Sequence, residues 1–412
     1  MKDILPAEMQ IRDYVTQLVR ETYGAFGFTP IETPAVEHIE NLLSKQGGEN
    51  EKLIFKILKR GEKLVLSPDV TEEDLADSGL RYDLTLPLSR FYACHAAELP
   101  SPFKALQMGN VWRADRPQKG RFRQFVQCDI DILGDPTSLA EIELITATTT
   151  LLGKLGFSDY TVRINDRRIL KAMAVSCGFE EKDLDTVFII LDKMDKIGIE
   201  GIREELTGCG FSKECTDAYI SMFEGNTADA SYLSALSGRL SGYLEEGCAE
   251  GLCGIIDSVE RVRSCDFNIV FDPTLVRGMS YYTGTIFEIT MNEFGSSVAG
   301  GGRYDEMIGR FTGNKVCACG FSIGFERIIT ILLDRGFTVP SAKTKYAFLI
   351  EKGADPGFVA DVMEEASKIR ANGDCVLVSM MNKNKKFQKE QLEKDGFSSD
   401  NIKEFYHSDF KN

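Results

Sequence analysis

Long apolar stretches are missing from this chain of 412 residues. No run approaches the roughly 18 residues that a membrane-spanning helix needs, and the opening MKDILPAEMQIRDYV has an acid at its third position and no apolar signal core. A cytoplasmic protein with no membrane partner is expected. Histidine is scarce: His38, His95 and His407 form no HExxH pair, and no Ser or Cys triad accompanies them, which argues against metal-dependent hydrolysis and acyl-enzyme chemistry. Phosphate cradles are missing too. The glycine run at 300–302 is not followed by GK[ST], and no GxGxxG follows a first strand. Eleven cysteines are present without CxxC spacing. An odd number of thiols and no secretory signal point to reduced, mostly buried side chains rather than a disulfide framework or a zinc knuckle. Net positive charge is also lacking, with 48 Lys and Arg against 63 Asp and Glu, a formal charge of -15.

Against that acidic background, residues 113–123 stand out. Arg113, Arg116, Lys119, Arg121 and Arg123 are offset there by Asp115 alone. The segment before them, FKALQMGNVWR, and the one after, FRQFVQCDIDILG, read as two strands of a hairpin whose tip carries the cations. Period-two alternation puts Phe125, Gln127, Asp129 and Asp131 on one face and Val126, Cys128, Ile130 and Ile132 on the other. Guanidinium groups beside a row of Gln and Asp suit a triphosphate or a nucleic-acid backbone, because they offer planar bidentate donors that stay charged. Arg277, Arg303 and Arg327 lie in other segments as further cation sources.

The rest of the chain reads as α+β. A helical stripe runs from Ala7 to Tyr23, broken by Gly24 and Gly27, with a short strand at Thr29–Thr33 between Pro30 and Pro34. Residues 52–66 suggest a hairpin turning at RGEK. Helix at 139–155 and strand at 160–166 come next, and residues 168–262 are almost wholly helical. Strands return at 265–278 and 281–291, then the glycine-rich AGGGRYDEM and an amphipathic helix after CACGFSIG. After the linker TVPSAKTK, strand and helix alternate in a small α/β domain.

Five segments in order resemble class II aminoacyl-tRNA synthetases, and the histidyl-tRNA synthetase family within that class. GFTPIETPAVE resembles motif one, RADRPQKGRFRQFVQ motif two and GFSIGFERI motif three, while LRYDLTLPLSR and LVRGMSYYTGTIFE resemble signatures of the histidine-specific family. The resemblance implies an antiparallel-sheet catalytic core over 1–166 and 263–335, a helical insertion over 167–262, and a shortened anticodon-binding-like α/β domain over 343–412 that lacks the family's final strand. Lys383, Lys385, Lys386 and Lys389 of that domain are candidate RNA contacts. A homodimer is implied through motif one.

Carried over residue by residue, the resemblance implies that Arg113 grips the α-phosphate of ATP, and Arg121 and Arg327 the terminal phosphates. Phe125 would stack on adenine, with Asp115 near its amino group. Asp83, Thr85 and Gln127 would hold the ammonium of histidine, Asp131 and Tyr282 its imidazole, and Tyr281 would shape the wall. Arg277, with Arg113, would stabilise charge on the α-phosphoryl oxygens during adenylation. Gln118 and Arg123 would meet the acceptor end of tRNA(His). Magnesium would arrive with ATP as substrate, and no tightly bound metal or organic cofactor is expected. The sequence departs from the family pattern at Asp83 and Asp131, where many bacterial members have Glu, at Asp115, a shortened Glu, and at Met279 and Ser280, where Leu and Asp are usual. A second reading of the same fold is a synthetase-like regulatory subunit of ATP phosphoribosyltransferase, which binds histidine without activating it. A third is a nucleic-acid sensor. Retention of the arginines and of a C-terminal domain favours the enzyme.

Overall fold

Apolar residues four apart decide the first element. Ile11, Val15, Val19 and Tyr23 fall on one stripe of the helix Pro6–Ala25 and are all buried. The helix stops where Gly27 turns to φ 82°, a conformation that costs a β-carbon-bearing residue. The computed structural model describes all residues except 44–51, 68, 117–121, 224–229, 277–280, 294, 341–342 and 411–412, and the side chains of 72, 73, 230, 231, 409 and 410. Gln118, Arg121, Arg277, Met279 and Ser280 therefore lie outside the described residues. The chain divides into two compact units, Met1–Ile4 with Arg12–Arg335, and Leu5–Ile11 with Gly336–Asn412.

Strands of the first unit follow in chain order: β1 (Thr29–Ile31), β2 (Val36–His38), β3 (Lys56–Leu58), β4 (Ala76–Leu80), β5 (Phe103–Trp112), β6 (Gln124–Leu133) and β7 (Tyr160–Asp166). Then come β8 (Asn268–Phe271), β9 (Thr285–Met291), β10 (Ser296–Arg303) and β11 (Ala318–Ile323). Eight of them form one sheet in the order β1-β5-β6-β11-β10-β9-β7-β8. Only β1 with β5 and β7 with β8 pair in parallel, so the sheet is dominated by antiparallel ladders. β5 and β6, the arms of the basic hairpin, are its longest strands and pair over their full length, from Phe103 opposite Leu133 to Trp112 opposite Gln124.

Register explains how this sheet makes a floor. Asp129 lies opposite Gln107 on β5 and Ser322 on β11. Ser322 lies opposite Gly300, and Gly300 opposite Glu288. Asp131 lies opposite Gly320, which is opposite Gly302. Directly opposed residues share a face, so Ser322 with Gly300 and Gly320 with Gly302 leave room beside the two acids of β6. The other face is apolar, with Cys128, Ile130 and Ile132 essentially inaccessible; each such aliphatic burial contributes roughly 1.5–3 kcal/mol. The helix Leu139–Lys154 covers it, as the bond from Arg303 to its Glu141 places it on that side.

Three expectations are corrected. The hairpin at RGEK does not form: β3 pairs instead with β4, in a three-stranded sheet of order β2-β4-β3, and residues 61–63 make a single 3-10 turn. The strand was drawn to the more distant Ala76–Leu80, whose ladder continues to β2. The cysteines form no disulfide, but only Cys128, Cys248 and Cys319 are buried, and Cys94, Cys209 and Cys375 are exposed. Arg303 alternates with Gly302 and so points to the apolar face, where it donates to both Glu141 carboxylate oxygens at 2.7 Å and to the carbonyls of Asp135 and Thr137. It is a structural ion-pair partner rather than a phosphate ligand.

Between β7 and β8 the described residues are mostly helical, in six α-helices from Arg167–Ser176 to Cys248–Val262 and one 3-10 turn at Glu181–Asp183. The second unit has β12 (Lys345–Ile350), the helix Pro356–Ala371, β13 (Cys375–Met380), the helix Lys385–Lys394 and β14 (Ile402–Phe405). Its parallel sheet runs β13-β12-β14, the alternation expected of the C-terminal α/β segment. Lys385 and Lys389 both pair with Glu404 there.

Candidate active site

β6 presents its polar row to a cavity of ≈ 430 Å³, walled by the segments after β4, the ends of β5 and β6, residues 281–282, β10 and the turn from β11 into the helix Phe325–Asp334. The space brings together Asp83, Thr85, Arg113, Asp115, Phe125, Gln127, Asp131, Tyr281, Tyr282 and Arg327, residues spread over more than half of the chain. Arg123 is exposed and does not line it; its Nε donates to the carbonyl of Asp115 at 3.2 Å.

Three carboxyls lie at one end. Asp83 is 2%, Asp129 4% and Asp131 3% exposed. Burial raises all three above the usual carboxylate range, Asp129 to about 7. Asp131 is pushed well up, next by the charge of Asp129 and against the hydrogen bond that the Tyr304 hydroxyl donates to its Oδ1 at 2.6 Å. Gly320 makes room for this carboxylate: a β-carbon there would stand 2.0 Å from Asp131 Oδ1. Asp83 Oδ1 accepts from the backbone N–H of Leu86 at 3.2 Å and so ties the start of the helix Thr85–His95 to the cavity.

The other end is cationic. Arg113 donates from Nε to the Tyr82 carbonyl at 2.9 Å, and its guanidinium lies 5.1 Å from the centroid of the Phe125 ring. This cation–π contact helps to hold the group beside the cavity. Arg327 donates to the Ser297 carbonyl. Glu326, the residue before it, is buried in a bidentate pair with Arg12, both N–O distances being 2.7 Å, and its Oε1 also accepts the Val126 N–H at 3.0 Å. One carboxylate thus links the first helix, β6 and the helix that carries Arg327.

The profile of the histidyl-tRNA synthetase family matches residues 1–328. The chain belongs to the histidyl-tRNA synthetase family. A histidine–tRNA ligase of Leifsonia xyli subsp. xyli is 46% identical over 342 residues, which cover 81% of this chain and 79% of that protein. A probable histidine–tRNA ligase of Tropheryma whipplei is 41% identical over 416 residues, 97% of this chain and 93% of its own. A crystal structure of histidyl-tRNA synthetase from Nostoc sp. PCC 7120 superposes with a TM-score of 0.77 at 28% identity, covering 96% of this chain and 88% of the other. The fold is that of a class II synthetase core, an α+β architecture around an antiparallel-dominated sheet.

Sequence reasoning missed five residues at or behind this cavity of the histidyl-tRNA synthetase family member. Asp129 carried a visible signal, the i, i+2 spacing between Gln127 and Asp131. Tyr304 sits in the quoted AGGGRYDEM but reaches Asp131 only through the pairing of β10 and β11. Gly320 had no signal before its register with Asp131 was known. The Arg12–Glu326 pair joins positions 314 apart in sequence, a separation that local patterning does not bridge.

Proposed function

We propose that this chain activates histidine with ATP, releasing pyrophosphate, and transfers it from the adenylate to the 3′ end of tRNA(His). The observation that carries the reading is the polarity of one cavity: buried carboxyls at one end, guanidiniums at the other. A zwitterionic amino acid and a polyanionic nucleotide placed across it would meet complementary charge at each end, with the carboxylate of one and the α-phosphorus of the other between them. The similarity to histidine–tRNA ligases over most of the chain supports the ligase over a histidine-binding regulatory subunit.

In this assignment Asp83, Thr85 and Gln127 take the ammonium, and Asp131 with Tyr282 the imidazole, beside Tyr281. An imidazole has two distinct nitrogens, and a partner for each excludes side chains that lack them. Phe125 offers the adenine a face, Asp115 lies near its amino group, and Arg113 with Arg327 and Arg121 takes the phosphates. Magnesium enters with ATP as part of that substrate. Arg277 and Arg113 stabilise charge that builds on the phosphoryl oxygens; no general base is needed, because the histidine carboxylate is already ionised. Gln118 and the exposed Arg123 meet the tRNA acceptor end. Residues 1–166 with 263–335 serve as the catalytic core, 167–262 as a helical insertion and 343–412 as an anticodon-side domain, in a cytoplasmic homodimer.

The test is pyrophosphate exchange into ATP with each of the twenty amino acids supplied separately and tRNA omitted. Exchange with histidine alone is expected. Histidine binding without exchange would replace the ligase by the regulatory-subunit reading.

A further inference from the structure

Three buried oxygens at the carboxyl end of the cavity lack a well-formed hydrogen bond from a described residue: Oδ2 of Asp83, Oε1 of Gln127 and Oδ1 of Asp129, although the Thr85 backbone acts on Asp83 and the Ser322 hydroxyl on Asp129. Gln127 is 9% exposed and the two acids less, and all three residues line the same space. A buried polar atom left unpaired costs about 1–3 kcal/mol, so three together mark a place that a ligand completes.

All three atoms are acceptors, and Asp129 makes them so. An amide could turn either end inward, but Gln127 Nε2 donates to Asp129 Oδ2 at 2.7 Å, which leaves the carbonyl oxygen as the amide's unpaired end. The group that offers three N–H donors and a positive charge in a compact volume is an alkylammonium. A hydroxyl offers one donor, and a guanidinium donates only in its plane. A metal ion is not favoured, since no group of three or more His, Cys, Asp or Glu side chains among the described residues is arranged to hold one.

We propose that Asp129 is a further amino-acid-binding residue, whose Oδ1 accepts one N–H of the substrate α-ammonium while its Oδ2 orients Gln127 to accept a second. This rests on the histidine-activation reading of the same cavity and adds to it the residue that makes the ammonium obligatory. Asp131, whose Oδ1 accepts from Tyr304, is the acid assigned to the imidazole. The groups that act on Asp129 are the Ser322 hydroxyl and Gln127 amide by hydrogen bonds and Asp83 and Arg113 by charge, and Asp129 in turn acts by charge on Asp131, two residues along the strand. A carboxyl pushed up by burial toward neutrality suits a group whose counter-charge arrives with the ligand.

Titration calorimetry of the full chain compares histidinol, which has the ammonium and imidazole, with its deamino counterpart imidazolyl-propanol. The wild type is expected to prefer histidinol by about a hundredfold or more, since the deamino ligand leaves buried acceptors unpaired. Asp129→Asn is expected to shrink that preference at least about tenfold, with binding of the deamino ligand unchanged. In pyrophosphate exchange the KM for histidine should rise by a similar factor and the KM for ATP stay put. Asp129→Ser carries the same expectation should the first variant not fold. A variant that keeps the wild-type preference overturns the proposal, as does equal loss of both ligands, or a wild-type preference below about threefold. Absence of histidine-dependent exchange in the wild type would instead sink the activation reading, which the binding comparison does not depend on.

Discussion

Tyr304 acts on a single atom, and its effect is measurable there. Its hydroxyl donates to Asp131 Oδ1 at 2.6 Å; Tyr304→Phe removes the donor, keeps the ring and leaves a buried carboxylate short of a partner. The KM for histidine in exchange should rise about tenfold, the range expected for a charge-assisted bond, with the KM for ATP unchanged. Arg277→Ala should cut adenylation by orders of magnitude with only modest loss of histidine affinity, measured as kcat against KM; near-normal turnover would remove it from its assigned role. Asp129 also gives stability a pH dependence. Its carboxyl rises from the ordinary 3.8 to about 7 in the fold, so between those values the folded chain holds the proton more tightly than the unfolded one. Its contribution is therefore greatest in acid, is lost as pH rises toward about 7, and changes little above. Asp129→Asn, free of histidine, should melt higher than the wild type at about pH 8 and nearly equal to it at about pH 4. Asp83 and Asp131 shift in the same direction, so the slope is reduced in the variant and not abolished.

At the scale of elements, the site depends on strands and helices being held at the right offset, and the Arg12–Glu326 pair sets one such offset. Glu326 grips Arg12 and the Val126 N–H together, which fixes the strand bearing Phe125 against the helix bearing Arg327. Arg12→Met removes one end, leaves Glu326 buried and uncompensated, and should cost about 3–5 kcal/mol of stability, the range for a broken buried pair. If the pair also positions the nucleotide, the KM for ATP should rise well beyond the KM for histidine in exchange measured below the melting transition. Equal changes in both would make the pair purely structural. Legibility at this scale follows sequence distance. The first helix, the β5–β6 hairpin and the alternating strands and helices of the C-terminal unit were readable because their patterns are local and periodic. The β3–β4 pairing was not, since a short strand can pair with either of two segments and the choice is made by the rest of its sheet.

For the whole molecule, charge is the property that composition states and geometry redistributes. A net charge of -15 repels RNA in general, so the proposed tRNA contact would rely on local cations such as the exposed Arg123, where each phosphate neutralised releases counterions. The KM for tRNA in aminoacylation should climb steeply as salt rises from about 50 to 200 mM, whereas tRNA-free pyrophosphate exchange, whose charges lie inside the cavity, should change much less. Parallel salt dependence of the two reactions would argue against a surface cation patch as the RNA contact. Sedimentation should give about twice the 45.9 kDa of one chain if the motif-one segment forms the two-fold interface.

By itself the sequence determined the α+β class, the basic hairpin, the period-two row that holds Gln127, Asp129 and Asp131, and a family resemblance carried by five ordered segments. Those features repeat or recur within a few residues, and local periodicity writes them directly into the order of side chains. Tertiary structure alone decided that Arg303 turns away from the cavity while Arg327 lines it, that Gly320 stands opposite Asp131, that Tyr304 completes that acid, and that Arg12 meets Glu326. Each of these depends on strand register or on a contact between distant segments, and a shift of register by one residue moves every side chain of a strand to the opposite face.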